Sequence, residues 1–426
     1  MYIQQIGISN IRSIQELDWK IAESQYAGWH VVIGDNGSGK STFLRAVALA
    51  LIGTEEAAAL RQNWNDWLTQ GESKGEIFLN LYYDKKIDKL YGKDRILGHE
   101  SMVQVSLFLS IDKKDHVKIE FDNINEFNPK LGLWGKKPGW FSAAYGPYRR
   151  FKGGNQDYEK LFDSNPKLAA HLSIFGEDVA LTECLKWLQD LQFKKLEGDP
   201  EGNLLDSLKE FVNQSGFLPH QAHLEHVSSK GVEFIDGNGC RLPVEELSDG
   251  YRSILSLTFE LIRQLARVYG YQSIFDPNDP TKIIPPGVVL IDEIDAHLHP
   301  TWQRKIGIWF REHFPNLQFI VSTHSPLICQ AATVGTVYCL PKPGSNELGS
   351  MVTGQDLDRL LYGNVLDAYG TEAFGADVTR SDESKKYLQR LAQLNCKELR
   401  EQLTEDERKE QQKLRAMMPT SAHQVN

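Results

Sequence analysis

The sequence predicts an α/β fold with a mixed central sheet, an antiparallel β subdomain and a helical insertion. Apolar, β-rich runs lead into a glycine-rich loop, and the loop opens a helix-like run that ends near Gly53. Residues 75–122 contain runs in which apolar and polar residues alternate, which is typical of antiparallel strands. Residues 153–216 place apolar residues at i, i+3 and i+4 instead, which is typical of amphipathic helices.

The composition indicates a soluble, globular protein with one main domain and smaller subdomains. The chain has 426 residues, 41% apolar and 24% charged, so it is long enough to bury a sizeable core. Its apolar runs fall short of the roughly 20 residues of a membrane helix, and its start lacks the order of a signal peptide, so we expect a cytoplasmic protein without membrane contact. The five cysteines form no C-x-x-C pair, which disfavours a zinc ribbon or a disulfide framework. The net charge of −10 disfavours a surface that is basic throughout, but it leaves a local basic groove open.

The stretch VVIGDNGSGKSTFL, residues 31–44, matches the pattern G-x-x-x-x-G-K-[ST] of a P-loop between a strand and a helix. In this motif the backbone N–H groups hold phosphates, the lysine reaches the β- and γ-phosphates, and the hydroxyl of the last residue binds Mg2+. We therefore predict a nucleoside triphosphate and Mg2+ as ligands of this loop. The contacting residues are predicted to be Asp35, Asn36, Gly37, Ser38, Gly39, Lys40, Ser41 and Thr42.

Two acidic residues end the apolar run VVLIDE at 288–293, which predicts a strand buried on both faces. At the carboxyl edge of that strand, Asp292 is expected to hold the water shell of Mg2+, with the Ser41 hydroxyl as the other protein ligand. Glu293 is expected to orient or deprotonate the attacking water. The alternative is a strand that ends in two acids by chance.

Two further segments place polar groups where a phosphate could bind. FIVSTHS, residues 319–325, predicts a strand that ends in a polar turn with His324, whose imidazole is able to donate a hydrogen bond to the γ-phosphate; a structural histidine is the alternative. ELSDGYRSIL, residues 246–255, places Ser248 and Gly250 at the start of a helix, where free N–H groups make an anion site. An ordinary N-capped helix has the same geometry.

Together these residues resemble the ABC-type ATPase head of the RecF, SMC and "overcoming lysogenization defect" group. The resemblance rests on L-S-x-G at 247–250, the D-E strand end, Asp295 and the later His324, and it covers roughly residues 1–60 and 240–335. It implies a P-loop NTPase fold of ABC/RecF type that hydrolyses ATP with Mg2+. It also implies that two heads enclose two nucleotides, so that Ser248 and Gly250 of one chain close on the γ-phosphate at Lys40 of the other. Asp295 then falls in the D-loop and His324 in the switch position.

The same resemblance covers two segments nearer the N-terminus. ISNIRSI resembles the N-terminal strand and turn of the family, which places Asn10 and Arg12 near the nucleotide. FSAAYGPYRR, residues 141–150, lies where the family has its lid or Q-loop, but the expected glutamine is absent, so the residue with that role stays open. One hypothesis is that nearby cations and aromatic residues contact nucleic acid. The alternative is that they belong to a solvated loop or lie beside the nucleotide. They are Lys136, Lys137, Arg149, Arg150, Lys152, Trp134, Trp140 and Tyr148.

Three features resemble the stand-alone ATPases of bacterial anti-phage systems, nearest to the ATPase subunit of Septu systems, the PtuA-like ATPases. They are the compact insert and the segments AHLHPTWQRK and NVLDAYGTEAFG. This resemblance implies a homodimer or higher homo-oligomer formed through the heads. It also implies a separate nuclease effector of HNH type as partner. The alternative is a RecF-like ATPase of DNA repair or maintenance that binds DNA directly.

Two other metal chemistries are disfavoured. A fused Toprim nuclease would need several acids on one scaffold, but Glu347 is too close to Asp356 and Asp358 to lie on a separate strand. His297 and His299 have no third ligand nearby, so we interpret them as part of the D-loop.

The domain organisation follows from these segments. Residues 1–152 are expected to form the N-terminal half of the head with the antiparallel β subdomain, and residues 153–240 a helical insertion. Residues 241–345 are expected to complete the head, and residues 346–426 to form a helical tail. The tail is either a solvated helix packed on its own domain or a docking surface for a partner.

Overall fold

The computed structural model describes residues 1–60, 62–84, 87–88, 102–121, 129–134, 139–151, 165–176, 181–345, 347–371, 374 and 381–417. The chain divides into two compact units, residues 1–363 and 364–426. The described strands are β1 Tyr2–Ile11, β2 Ile14–Lys20, β3 Trp29–Ile33, β4 Lys74–Tyr82, β5 Met102–Ile111, β6 Val117–Phe121, β7 Ser142–Tyr145, β8 His223–Ser228, β9 Gly231–Ile235, β10 Arg241–Pro243, β11 Phe275–Asp276, β12 Asp279–Ile283, β13 Gly287–Ile291, β14 Leu317–Ser322, β15 Gly335–Cys339 and β16 Ser350–Met351. The described α-helices are α1 Lys40–Ile52, α2 Pro129–Gly132, α3 Pro166–Ala169, α4 Glu183–Glu197, α5 Leu204–Val212, α6 Asp249–Tyr269, α7 Pro300–His313, α8 Pro326–Cys329, α9 Gly354–Tyr362, α10 Val365–Tyr369, α11 Asp382–Glu398 and α12 Glu405–Met417.

A six-stranded sheet in the order β16–β15–β3–β14–β13–β7 is the centre of the first unit. Its neighbouring strands run parallel except for β15 and β16, which are antiparallel. Every residue of β3, β13 and β14 is buried, as expected of parallel strands covered on both faces. The predicted mixed sheet of a P-loop NTPase is therefore confirmed.

A second, five-stranded sheet in the order β2–β1–β4–β5–β6 is antiparallel throughout. Along β4 buried and partly exposed residues alternate, as the sequence pattern predicted. Helix α1 is apolar on nearly all sides and packs against strands of both sheets, so it is buried almost completely. It must end at Gly53, since this residue has a φ of +94° and a Cβ atom there would lie 2.3 Å from the ring of Trp134.

The segment 153–240 is only partly a helical insertion. Helices α4 and α5 occupy its middle, but β8 and β9 pair in one antiparallel sheet with β10. The interpretation of the whole segment as helical is therefore wrong for residues 223–235. The physical reason is the local period, because buried residues recur at every second position along β9, which suits a strand and not a helix. Residues 275–283 form the short hairpin of β11 and β12.

The second unit begins at Asn364, later than the predicted start of the tail at residue 346. The difference arises because β16 pairs with β15 at the edge of the central sheet. Within this unit α11 and α12 pair around a small core of Leu391, Leu394, Leu403 and Leu414. Arg390 and Glu410 join the two helices by hydrogen bonds of 3.1 and 2.8 Å. Among the helices that the structure describes, none combines the length and apolarity needed to span a membrane.

Candidate active site

The carboxyl ends of four parallel strands meet at one edge of the central sheet. β3 leads into the P-loop, β13 into Asp292 and Glu293, β14 into Thr323 and His324, and β7 into Gly146. Because neighbouring parallel strands end on the same side, this edge gathers loops that are distant in sequence. The sequence motifs predicted separately thus share one place in the fold.

The P-loop adopts a backbone that only glycine accommodates. Gly37 and Gly39 have φ values of +82° and +100°. A Cβ atom on Gly39 would lie 2.5 Å from Oγ of Ser13. Helix α1 starts at Lys40, and its N-cap makes no side-chain hydrogen bond, so the N–H groups of its first turn are not capped by a side chain. An uncapped helix start with a tight glycine loop before it favours a bound phosphate.

The ammonium group of Lys40 lies within this loop and close to the acids at the sheet edge. Nζ donates to the backbone oxygens of Gly34 at 2.8 Å and Asp35 at 3.0 Å. Burial lowers the pKa of Lys40, whereas the nearby carboxylates of Asp292, Glu293 and others act in the opposite direction. The lysine is therefore near enough to these acids to interact with them electrostatically.

The carboxylate of Asp292 uses one oxygen within the protein. Oδ1 accepts a hydrogen bond of 2.5 Å from the hydroxyl of Ser322, while the buried Oδ2 has no hydrogen-bond partner. A buried carboxylate oxygen without a partner is costly, and Mg2+ or its water shell would satisfy it. With the hydroxyl of Ser41 in the first turn of α1, these residues fit the predicted Mg2+ site.

Glu293 has a left-handed backbone with a φ of +47°, which is unusual for a residue other than glycine. Its N–H donates to Oγ of Ser322 at 2.8 Å, and its carbonyl accepts from Nη2 of Arg149 at 2.9 Å. Its side chain is half-buried. The turn therefore presents this carboxylate at the sheet edge from a conformation that neighbouring side chains hold.

Asp295 is joined to the residue that precedes His324. The hydroxyl of Thr323 donates to Oδ1 of Asp295 at 2.5 Å. His324 follows at the end of β14 and is exposed. Asp295 is thus bonded to the residue that precedes His324, and the side chain of His324 is exposed.

Ser248 and Gly250 begin helix α6, as predicted. Ser248 is the exposed N-cap residue, and its side chain makes no capping hydrogen bond. The cleft around Ser248 is lined by residues such as His220, Asp236 and Tyr251, and none of its lining residues belongs to the P-loop. At Gly250 a Cβ atom would lie 2.8 Å from the backbone oxygen of His297. Glycine is therefore required there by close packing against the D-loop segment.

Two family models match the chain. One, described as "AAA domain, putative AbiEii toxin, Type IV TA system", matches residues 148–330, and one described as "AAA domain" matches residues 5–197. Septu protein PtuA of Bacillus mycoides (strain KBAB4) is 26% identical over 345 residues, which cover 80% of this chain and 40% of that protein. The predicted resemblance to PtuA-like ATPases is confirmed. The chain thus spans less than half the length of this relative.

Two other proteins are similar over most of the chain. The Retron Vc95 probable ATPase of Vibrio cholerae serotype O1 biovar El Tor is 22% identical, with 78% of this chain and 72% of that protein covered. A solved SMC head bound to the C-winged helix domain of ScpA has a TM-score of 0.48 and 15% identity, with 83% of this chain and 98% of that chain covered.

Asn10 lies near the end of β1 and Arg12 in the turn that follows, and both donate hydrogen bonds away from the P-loop. Nδ2 of Asn10 donates to the backbone oxygen of Lys74 at 3.3 Å, and Nε of Arg12 donates to that of Asp66 at 3.2 Å. The Arg12 guanidinium also lies 4.8 Å from the centre of the Trp67 ring. Both residues have positive φ values, 54° and 51°. The neighbouring Ser13 lies against the P-loop instead, at Gly39.

The hypothesis of a nucleic-acid contact around Arg149 is wrong for three of its residues. Arg149 is only 5% exposed, and it donates to the backbone oxygens of Asp292 and Glu293 at 2.8 and 2.9 Å. Trp134 and Trp140 are buried, and their Nε1 atoms donate to the backbone oxygens of Ala50 and Leu133. Trp134 and Trp140 precede β7 and Arg149 follows it, and all three side chains have partners in the interior. Lys136, Lys137 and Lys152 lie outside the described residues.

Sequence reasoning grouped Arg149 with surface cations and missed its contact with the two acids. The available signal was its position after FSAAY, an apolar run that forms the strand β7 next to β13. A cation that follows such a strand lies at the same sheet edge as the acids that follow β13.

The alternative metal chemistries gain no support. Asp356 and Asp358 lie on helix α9, and Asp356 pairs with Arg359 at 3.2 Å. Across the described part of the chain, no group of three or more His, Cys, Asp or Glu side chains is arranged to hold a metal ion. The arrangement at Asp292 is different, because there the phosphates of a nucleotide would complete the ligand set.

Proposed function

We propose that this chain binds ATP with Mg2+ and hydrolyses the ATP to ADP and phosphate. The observation that carries the proposal is the sheet edge where Lys40 lies among acids and where Oδ2 of Asp292 is buried without a partner. A magnesium nucleotide requires three groups that this edge supplies. The cation and the uncapped helix start suit its phosphates, and the unsatisfied carboxylate suits its metal ion.

Each residue has a defined part in this reaction. The loop N–H groups and Lys40 hold the β- and γ-phosphates, and Ser41 and Asp292 hold the metal ion. Bound Mg2+ would neutralise charge on the phosphate oxygens. Glu293 orients the attacking water and accepts its proton, and the exposed His324 contacts the γ-phosphate. Asp295 positions the switch turn through its bond with Thr323.

The active unit in this proposal is a pair of heads. Ser248 is exposed at an uncapped helix start, in a cleft without P-loop residues. Its anion site is therefore suited to a nucleotide on another chain, and Ser248 and Gly250 would close on the γ-phosphate bound at the partner head's Lys40. Because ATP then binds the paired form better than the open one, binding closes the heads and hydrolysis opens them.

The biological role we propose is anti-phage defence in the cytoplasm, with a separate HNH-type nuclease as the regulated effector. This rests on the similarity to a Septu protein and to a retron ATPase. A built-in nuclease is not part of the proposal, since the Asp356 pair lies on a helix. The RecF-like alternative, with direct DNA binding, loses three of the residues that favoured it, because Arg149, Trp134 and Trp140 are buried.

The test compares wild-type protein with Lys40→Ala and with Lys20→Ala, a control at a largely exposed lysine. Binding of a fluorescent ATP analogue and phosphate release are measured with Mg2+ present. We expect Lys40→Ala to weaken ATP binding by about a hundredfold or more, since a buried cation facing the phosphates is lost. Equal binding and turnover in the two variants would contradict the proposal.

The defence role has its own assay. Cells that carry the gene together with a nuclease gene beside it are plated with phage, and the plating efficiency is compared with that of cells carrying Lys40→Ala. Protection that persists in Lys40→Ala, or that needs no second gene, would contradict the role as an ATP-driven regulator of a partner.

A further inference from the structure

Arg149 joins three segments of the head from a buried position. Nε donates to Oγ of Ser253 at 3.0 Å, and Nη1 donates to the backbone oxygen of Gly146 at 3.0 Å. Nη1 and Nη2 donate to the backbone oxygens of Asp292 at 2.8 Å and Glu293 at 2.9 Å. Only the planar guanidinium of an arginine makes all of these bonds, because its N–H groups point in several directions at once. None of these four bonds ends on the P-loop.

The bond to Glu293 acts on a strained residue. A left-handed backbone at a residue other than glycine is strained and persists only where the surroundings impose it. Arg149 holds the carbonyl of Glu293, and Ser322 holds its N–H. The same carbonyl also accepts the N–H of Ala296 at 3.0 Å. The direction of the catalytic carboxylate therefore depends on Arg149 from one side and on Ser322 from the other.

The bond to Ser253 connects this turn with helix α6. Ser253 is buried and lies in the second turn of the helix that Ser248 begins. Because Arg149 bonds directly to Ser253, a shift of α6 acts on the guanidinium. Through the guanidinium it acts on the backbone carbonyls of Asp292 and Glu293. Arg149 is thus the single side chain between helix α6, which a second head would contact at Ser248, and Glu293, which would activate water.

We propose that Arg149 is a positioning residue that couples the docking of a second head at Ser248 to the orientation of Glu293. This rests on the proposed ATP hydrolysis by paired heads. In the free head the guanidinium keeps the turn of Glu293 in its strained form. When a second head binds at the start of α6, the position of Ser253 sets how firmly Arg149 holds that turn, and this determines the rate of turnover.

The main variant is Arg149→Lys, which keeps the charge but loses the fork. Hydrogen exchange of the amides of Ile294 and Ala296 is measured without nucleotide, followed by kcat and KM for ATP. We expect these amides to exchange about tenfold faster, since a bond that holds the turn is lost. We expect kcat to fall about a hundredfold while KM changes less than about threefold, because Arg149 orients the catalytic group and does not touch the phosphate loop.

Two further variants make the comparison specific. Arg311→Lys is the matched control, because Arg311 also donates to a backbone oxygen, that of Ala331 at 2.9 Å, away from the site. Ser253→Ala removes only the connection to α6 and leaves the bonds to Asp292 and Glu293. For Ser253→Ala we expect unchanged exchange at Ile294 and Ala296 but a kcat about tenfold lower with paired heads, the effect of one lost hydrogen bond.

The outcomes separate the coupling from the proposed function. Wild-type exchange and kcat in Arg149→Lys would overturn the positioning role, and a wild-type kcat in Ser253→Ala would overturn the coupling. If Arg149→Lys does not fold, as its thermal midpoint would reveal, Ser253→Ala decides alone. If the wild-type protein does not hydrolyse ATP, the proposed function fails, but the exchange comparison still tests whether Arg149 holds the Glu293 turn.

Discussion

The hydroxyl of Ser322 donates to Oδ1 of Asp292 at 2.5 Å and accepts the backbone N–H of Glu293 at 2.8 Å. One side chain at the end of β14 therefore orients both acids that follow β13. Because Ser322 occupies Oδ1, Oδ2 is the oxygen of Asp292 that the proposed metal ion or its water would contact.

Ser322→Ala should weaken the use of Mg2+ more than the binding of ATP. Without the hydroxyl, Asp292 loses the bond that fixes its carboxylate, and loss of such an outer partner costs about 10–100-fold in metal affinity. The measurement is the Mg2+ concentration that gives half-maximal ATP hydrolysis.

Ser142→Ala is the control for this change. Ser142 is buried on β7, the strand that pairs with the other side of β13, and its hydroxyl has no partner. An equal rise in the Mg2+ requirement of both variants would show that Ser322 has no special role at Asp292.

Glu293→Gln should bind ATP normally but turn it over at least about a hundredfold more slowly, because an amide cannot accept the proton of the attacking water. Paired heads should then accumulate with ATP, as light scattering after gel filtration would reveal. Glu197→Gln, at an exposed glutamate on α4, serves as the control. Hydrolysis by Glu293→Gln at the wild-type rate would remove the glutamate from its role.

Ser248→Arg should block pairing of the heads and leave ATP binding to a single head intact. The long cation would fill the space where the γ-phosphate of the other head must enter. Molecular mass is measured with ATP in the Glu293→Gln background, with Ser229→Arg in the exposed turn between β8 and β9 as control. Dimers that persist in Ser248→Arg as they do in the control would argue against a shared site.

Acid should destabilise the fold through His30. This residue is fully buried, its Nδ1 lies 2.8 Å from the hydroxyl of Thr336, and its Nε2 has no partner. Burial lowers the pKa of His30 to about 4. Between that value and the unfolded pKa of about 6.5, the unfolded chain binds a proton that the folded chain does not. The stability present above pH 6.5 is therefore lost as the pH falls towards 4, by a few kcal/mol in order of magnitude.

His30→Asn keeps a polar group near Thr336 but does not titrate in this range. Its loss of stability between pH 7 and pH 4.5, measured by denaturant unfolding, should be smaller than that of wild type. His116→Asn, at an exposed histidine in a turn, should lose as much stability as wild type. A loss in His30→Asn as large as in the wild type would refute the assignment.

Much of the site could be predicted because its chemistry is local. The P-loop and the start of α6 each depend on a few consecutive residues whose backbone forms the anion site, so spacing alone reveals them. Asp292 and Glu293 could be predicted because an apolar run that ends in acids marks the end of a buried strand. The helices α4 and α5 followed from the period of their apolar residues. By contrast, the strands at 223–235 are short and lie next to helical segments, so the local pattern was assigned to the wrong element.

The sequence by itself determined the P-loop, the acids after β13, the helix that Ser248 begins and the kind of ligand that these groups suit. Only the tertiary structure decided that Arg149 faces inward to Asp292, Glu293 and Ser253, and that Ser322 occupies one oxygen of Asp292. The physical reason is distance along the chain. A turn is formed by neighbouring residues, whereas these hydrogen bonds join strand ends and a helix that meet only when the parallel sheet brings them to one edge.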